Sequence, residues 1–176
     1  LMVGSLSGTW LISGIIPSMI YYGLQILNPT IFLPSCLLIC AIVSVSTGSS
    51  WTTSATVGIA LIGIGKALGI PVGMVAGGVI SGAYFGDKLS PLSDTTNLSP
   101  AVSGTDIFTH IRYLTITTVP TIIVTIIILS ILNFSIDING STENEYMLSA
   151  IKNTFYISPL LFIVPLFVVL MIFKKI

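Results

Sequence analysis

The chain has 176 residues, 53% of them hydrophobic and 7% charged, with six Lys or Arg set against six Asp or Glu and a net charge of zero. A soluble domain carries about 25% charged residues, so this composition excludes a water-soluble globular protein and implies one embedded in the lipid bilayer. The balanced charge offers no electrostatic basis for a nucleic-acid partner.

The apolar stretches are long and lack the alternation of a membrane barrel, which predicts an all-α, polytopic helical bundle. Taken in order, a first span covers about residues 6–27, with Ser, Gly and Thr on part of its surface where helices can approach closely. Asn28-Pro29 marks a turn. A second apolar segment covers 31–46 and ends in a polar break at 47–54. A third covers 55–69 and holds Gly58, Gly63, Gly65 and Gly69; Pro71 opens a fourth, 71–86. A second polar break, 87–97, follows. Asp106 reads as the N-cap of a short interfacial helix. Residues 113–134 form the cleanest span, with a kink expected at Pro120. A polar loop at 135–153 holds Asp137, Glu143 and Glu145, and a last span, 156–173, closes on Lys174 and Lys175.

Segments 31–46, 55–69 and 71–86 fall short of the roughly 20 residues a full crossing needs. One arrangement is a re-entrant hairpin with 47–54 at its tip, followed by a single discontinuous crossing interrupted at 87–97; the other is three short crossings. Non-helical backbone at membrane depth belongs where it is buried in protein or lines a wet cavity. The lysines at 174 and 175 place the C-terminus in the cytoplasm, with His110 and Arg112 on the same side. The chain starts inside an apolar stretch and stops just after another, which reads as an internal portion of something longer.

The chemistry lies in the two breaks. Two of the six acids, Asp87 and Asp94, fall in the second, and an acid at membrane depth costs about 2.5–3.5 kcal/mol, so its default reading is functional. Hard cations take oxygen ligands. Asp94 with Ser93, Thr95, Thr96 and Asn97 offers a carboxylate, hydroxyls and an amide for sodium, and a helix break frees backbone carbonyls for the same purpose. The first break offers Thr47, Ser49, Ser50 and Thr52, and the two breaks facing each other would close a cage. Asp87 is either a second cation- and proton-binding group or the partner of Lys88, and Lys88 is either a countercharge or a snorkelling side chain. His110 is either a pH-sensing group or a headgroup-facing residue. Cys36 and Cys40 read as small apolar packing residues. No His-Glu-x-x-His or Gly-x-Ser-x-Gly pattern occurs, which points away from an enzyme. No resident cofactor is expected, since sodium and protons would be cargo. A non-transporting membrane scaffold is the reading from another class, in which the polar breaks are packing devices.

The block from Ser81 to Thr96, the downstream run Gly104-Thr105-Asp106-Ile107-Phe108-Thr109-His110-Ile111-Arg112 and the element Thr47-Gly48-Ser49-Ser50-Trp51 together resemble the NhaC-type sodium/proton antiporter family, in the same order. The resemblance implies a multi-pass protein of the cytoplasmic membrane, built of two inverted repeats that each hold a re-entrant hairpin and a broken helix. This chain would be one such half, with the remaining half of the transporter as its partner; a homo-oligomer is left open. The family also includes exchangers that couple sodium and protons to organic acids such as malate and lactate, and the three blocks do not separate the two activities.

Overall fold

A computed structural model describes residues 8–10, 12–135, 148–149, 151–164 and 167 of the chain, and the described residues contain helices and turns but no strands. Asp137, Glu143, Glu145, Lys174 and Lys175 lie outside them. The helices that build the described bundle are α1 (Ile15–Ile26), α2 (Phe32–Thr47), α3 (Ser50–Thr53), α4 (Ile59–Ala67), α5 (Val72–Leu89), α6 (Asp94–Ser103) and α7 (Ile107–Phe134). A π segment, Ser54–Gly58, joins α3 to α4 without a loop.

Among the described residues, two helical stretches, Pro29–Thr47 and Ile107–Phe134, are long and apolar enough to cross a membrane. The first expected span is interrupted: Gly14 sits at φ +83 directly before α1. The described part of the last expected span holds a short 3-10 turn, Pro159–Phe162. Asp106 is an N-cap as expected, its Oδ2 accepting the N–H of Phe108 at 3.0 Å and of Thr109 at 3.1 Å. The helix it opens is not short, however: it runs 28 residues, continuous through Pro120.

The centre of the fold is the pairing of α2 with α5. Small residues at four-residue spacing let two helices approach until backbone meets backbone. A Cβ added at Gly78 would meet the Leu33 carbonyl oxygen at 3.3 Å, one at Gly82 the Leu37 backbone, and one at Gly86 the Ala41 carbonyl. The positions climb together along both helices, so α2 and α5 run parallel. α4 and the π segment before it lie antiparallel to α5, with Gly65 of α4 against Val75 and Gly58 of the π segment against Val79. Phe32, Leu33, Leu37, Leu61, Ile64, Val75 and Val79 form the buried core between them. Cys36 and Cys40 are free thiols fully buried in that core, as their spacing suggests.

α7 runs antiparallel to α2 and α5 and fixes their register. Near its C-terminal end Asn133 is buried; its Oδ1 accepts the Leu33 N–H at 3.1 Å, and its Nδ2 donates to the carbonyls of Pro29 at 3.1 Å and Thr30 at 2.6 Å. The first N–H groups of a helix have no partner within it, so Asn133 caps α2 from the far end of the chain. Leu129 packs on Gly78, and Thr118 and Thr121 share a cavity with Tyr84 and Lys88.

Candidate cation site at the two helix breaks

Because α2 and α5 are parallel, both polar breaks fall at the same end of the pair. Each is shorter than composition suggests. The first is confined to Gly48 and Ser49, since residues 50–58 are already helical. There, hydroxyls turn back onto helix carbonyls, Thr53 onto Ser49 at 2.9 Å and Thr56 onto Thr52 at 2.7 Å. The second break covers only residues 90–93, so Asp87 and Lys88 belong to the last turn of α5 and Asp94 to Asn97 to the first turn of α6.

Local chemistry shapes each turn. Gly48 adopts φ +67, in the left-handed region that glycine tolerates best. A Cβ there would sit 2.6 Å from the Leu92 carbonyl carbon, so only glycine lets the two breaks touch. Ser49 caps α3, its Oγ accepting the Thr52 N–H at 3.2 Å. Ser93 caps α6 in the same way through the Thr96 N–H. Three side chains then tie the breaks in place. Ser90 Oγ donates to the Val45 carbonyl at 2.7 Å. Thr96 Oγ1 donates to the carbonyls of Asp87 at 3.1 Å and Lys88 at 3.2 Å. Asn97 Nδ2 donates to Pro91 at 2.8 Å and Ser93 at 2.7 Å.

Between the breaks lies a cavity of about 290 Å³, lined by Ser49, Ser50, Asp87, Ser93, Asp94 and Thr95 together with Gly48, Trp51 and Tyr84. Ser50 Oγ donates to Asp87 Oδ2 at 3.0 Å, and Ser93 and Thr95 share a hydroxyl contact of 2.9 Å. The cavity thus combines two carboxylates with the hydroxyls of Ser49, Ser50, Ser93 and Thr95, a donor set suited to a hard cation.

The sequence-predicted residues therefore divide into two groups. Ser49, Ser50, Asp87, Ser93, Asp94 and Thr95 meet at the cavity. Thr47 pairs with Thr53 at 3.3 Å, Thr52 donates to Ser49 Oγ at 3.1 Å, and Thr96 and Asn97 hold the second turn; these four shape the breaks without lining the cavity. Lys88, next to Asp87 in sequence, faces a different cavity on the α7 side of α5. His110 lies in the first turn of α7, away from both. Tyr84, which lines both cavities, and Asn133 are not among the residues that the sequence pattern singles out. A lone polar residue in an apolar run is the signal that marks Asn133, and Tyr84 carries none.

The decisive comparison covers the second break. The sequence profile of the Na+/H+ antiporter family matches residues 82–176, which include Asp87 and Asp94. The chain belongs to the Na+/H+ antiporter family. It is 45% identical to the Na+/H+ antiporter NhaC of Alkalihalophilus pseudofirmus over 99% of this chain and 38% of that protein. It is 43% identical to the malate-2H+/Na+-lactate antiporter of Bacillus subtilis over 98% of this chain and 37% of that protein. Over 107 residues, 61% of this chain and 22% of that protein, it is 49% identical to the arginine/ornithine antiporter ArcD of Halobacterium salinarum. The chain spans less than two-fifths of the length of each of these relatives. No solved structure matches it. The NhaC-type resemblance read from the three blocks is borne out by these matches.

Proposed function

We propose that this chain carries the cation site of a sodium/proton exchanger of the cell membrane, and that the cavity between the two breaks is that site. The observation that carries the reading is the convergence of Asp87 and Asp94 on one hydroxyl-lined cavity at two adjoining helix breaks.

Family membership and helix lengths support a membrane placement. α7 has 28 residues, roughly 42 Å at about 1.5 Å per residue, against a hydrocarbon core of about 30 Å. Its Thr118 and Thr121 lie beside Lys88, with ten residues or more of α7 on either side. A bilayer centred on α7 therefore puts both breaks near its midplane. α5 then runs inward from one surface to the break, and α6 continues to the other, a single discontinuous crossing. α2 and α4 enter and return on the side that Asn133 marks, which is a re-entrant hairpin. This is one half of an alternating-access transporter, and the remaining half of the protein covers the open face of the cavity.

Exchange follows from competition. Withdrawing a carboxylate from water favours its neutral form, and a bound cation favours its charged form, so one group binds a proton or sodium in turn. Asp94 and Asp87 carry that competition, with Ser50, Ser93 and Thr95 as further oxygen ligands.

A second reading, sodium- and proton-coupled exchange of a small organic acid, is supported by the relative named for malate, protons, sodium and lactate. The test is a sodium pulse applied to proteoliposomes that hold the full-length protein and a pH-sensitive dye. A dye response to sodium alone supports cation exchange. A response that requires an added organic acid replaces it with the second reading.

A further inference from the structure

Thr96 and Pro100, one turn apart on the same face, are the buried residues of α6. The sequence reads Thr96 as a sodium ligand, yet it is only 3% exposed and does not line the cavity. Its one hydroxyl proton is shared between the carbonyls of Asp87 at 3.1 Å and Lys88 at 3.2 Å. Both belong to the last turn of α5, where carbonyls have no partner within the helix. Among the described residues, these are the hydrogen bonds that join α6 to α5. Asn97, the next residue, bonds to Pro91 and Ser93 in the break itself.

Where that bond is anchored gives it a role in the site. Asp87 is held at both ends: its carboxylate accepts from Ser50 at 3.0 Å, and its carbonyl accepts from Thr96 at 3.1 Å. Asp94 precedes Thr96 by two residues in the same first turn of α6. The Thr96 hydroxyl is therefore a strut across the second break, from the turn that carries one acid to the backbone of the other. Without it, the link between the two acids runs along the chain through residues 90–93. The outer part of α6 adds little hold, since Leu98 and Val102 are exposed.

We infer that Thr96 is a positioning residue for cation selectivity: by fixing Asp94 against Asp87, it matches the spacing of the two carboxylates to the size of the ion. Selectivity among hard cations depends on the size of the cage, the number of its oxygen ligands and how far they can move. Thr96 supplies no oxygen to the cage and acts on the movement of those that do. A ligand and a strut differ in what their loss does. A lost ligand weakens every cation, the small one at least as much as the large. A lost strut leaves the ligands in place and frees them to close on a smaller ion. The inference rests on the cation-site reading above and adds to it the residue that holds the cage open to the width of sodium.

Sodium and lithium series on the full-length protein in proteoliposomes, read by dye response, test it. Thr96→Val keeps the shape of the side chain and loses the donor. Its half-maximal sodium concentration should rise about fivefold, the scale of one hydrogen bond, while that for lithium rises less, so the preference moves toward the smaller ion. Thr96→Ser keeps the donor and should restore the wild-type ratio of the two. Thr96→Ala leaves room for a water to satisfy the two carbonyls; it should match Thr96→Val and serves in its place if the valine variant does not fold. A wild-type ratio in the valine and alanine variants overturns the inference. So does a weakening of lithium equal to or greater than that of sodium, which marks a direct ligand or a general loss of structure. Asp94→Asn, measured beside them, separates this failure from failure of the cation site. If Asp94→Asn loses exchange while the ratio in Thr96→Val is unchanged, the strut falls and the site stands. If Asp94→Asn exchanges as the wild type does, or the wild type responds to neither ion, the site falls and the strut with it.

Discussion

Ser50 and Asp87, 37 positions apart in the chain, meet through a hydroxyl–carboxylate hydrogen bond of 3.0 Å. That contact joins the helix after the first break to the helix before the second. It follows from the parallel packing of α2 and α5, which brings both breaks to one level. Ser50→Ala removes a hydrogen bond to a charged group, worth about 1.5–3 kcal/mol. The sodium concentration for half-maximal exchange should rise about tenfold or more, measured by dye response across a sodium series.

The α2–α5 interface predicts opposite outcomes at glycines of the same helix. A methyl group at Gly82 or Gly86 meets backbone atoms of α2, which cannot yield as a flexible side chain would. Gly82→Ala should destabilise the fold by about 1–3 kcal/mol, as overpacking does. Gly77 has nothing within 4 Å of the added carbon, so Gly77→Ala should leave stability equal or raise it by up to about 1 kcal/mol through helix propensity. Thermal unfolding in detergent compares the two.

Asn133 predicts a loss of stability without loss of cation affinity. Asn133→Ala strands the buried Leu33 N–H and two carbonyls at the start of α2. Leaving such a group unsatisfied costs about 1–3 kcal/mol. The unfolding temperature should fall while half-saturation by sodium stays unchanged, because the cavity lies at the other end of α2.

Cys36 and Cys40 are fully buried in the core. A maleimide should leave both unmodified in the folded protein and modify both after denaturation, as read by mass spectrometry. Modification of the folded protein would contradict the α2–α5 packing.

Much of this architecture is legible in the sequence because lipid leaves a chain few choices. The scarcity of charge and the polar runs that hold the two breaks follow from that constraint, and the Asp106 cap follows from a carboxylate placed beside unpaired helix N–H groups. The breaks prove narrower because Thr53 and Thr56 bond back to carbonyls of their own helix. A hydroxyl-rich run can therefore remain helical, which composition does not distinguish from a loop. The division of Asp87 from Lys88 depends on the angular position of each on α5, and that acquires meaning only once α2 and α7 are in place. The role of Asn133 depends on a partner about a hundred residues away, beyond the reach of local pattern. In the cation cavity, the acids were legible from their rarity, whereas Tyr84 resembles any aromatic residue of a membrane helix.

The most direct test of the cation site compares the wild-type full-length protein with Asp94→Asn and Asp87→Asn in proteoliposomes, by dye response to a sodium pulse. All three must reconstitute to equal levels. The account predicts a response from the wild-type protein and none from Asp94→Asn, with Asp87→Asn silent or demanding far more sodium. Wild-type exchange by Asp94→Asn and Asp87→Asn alike would contradict it and move the cation site out of the cavity between the two breaks.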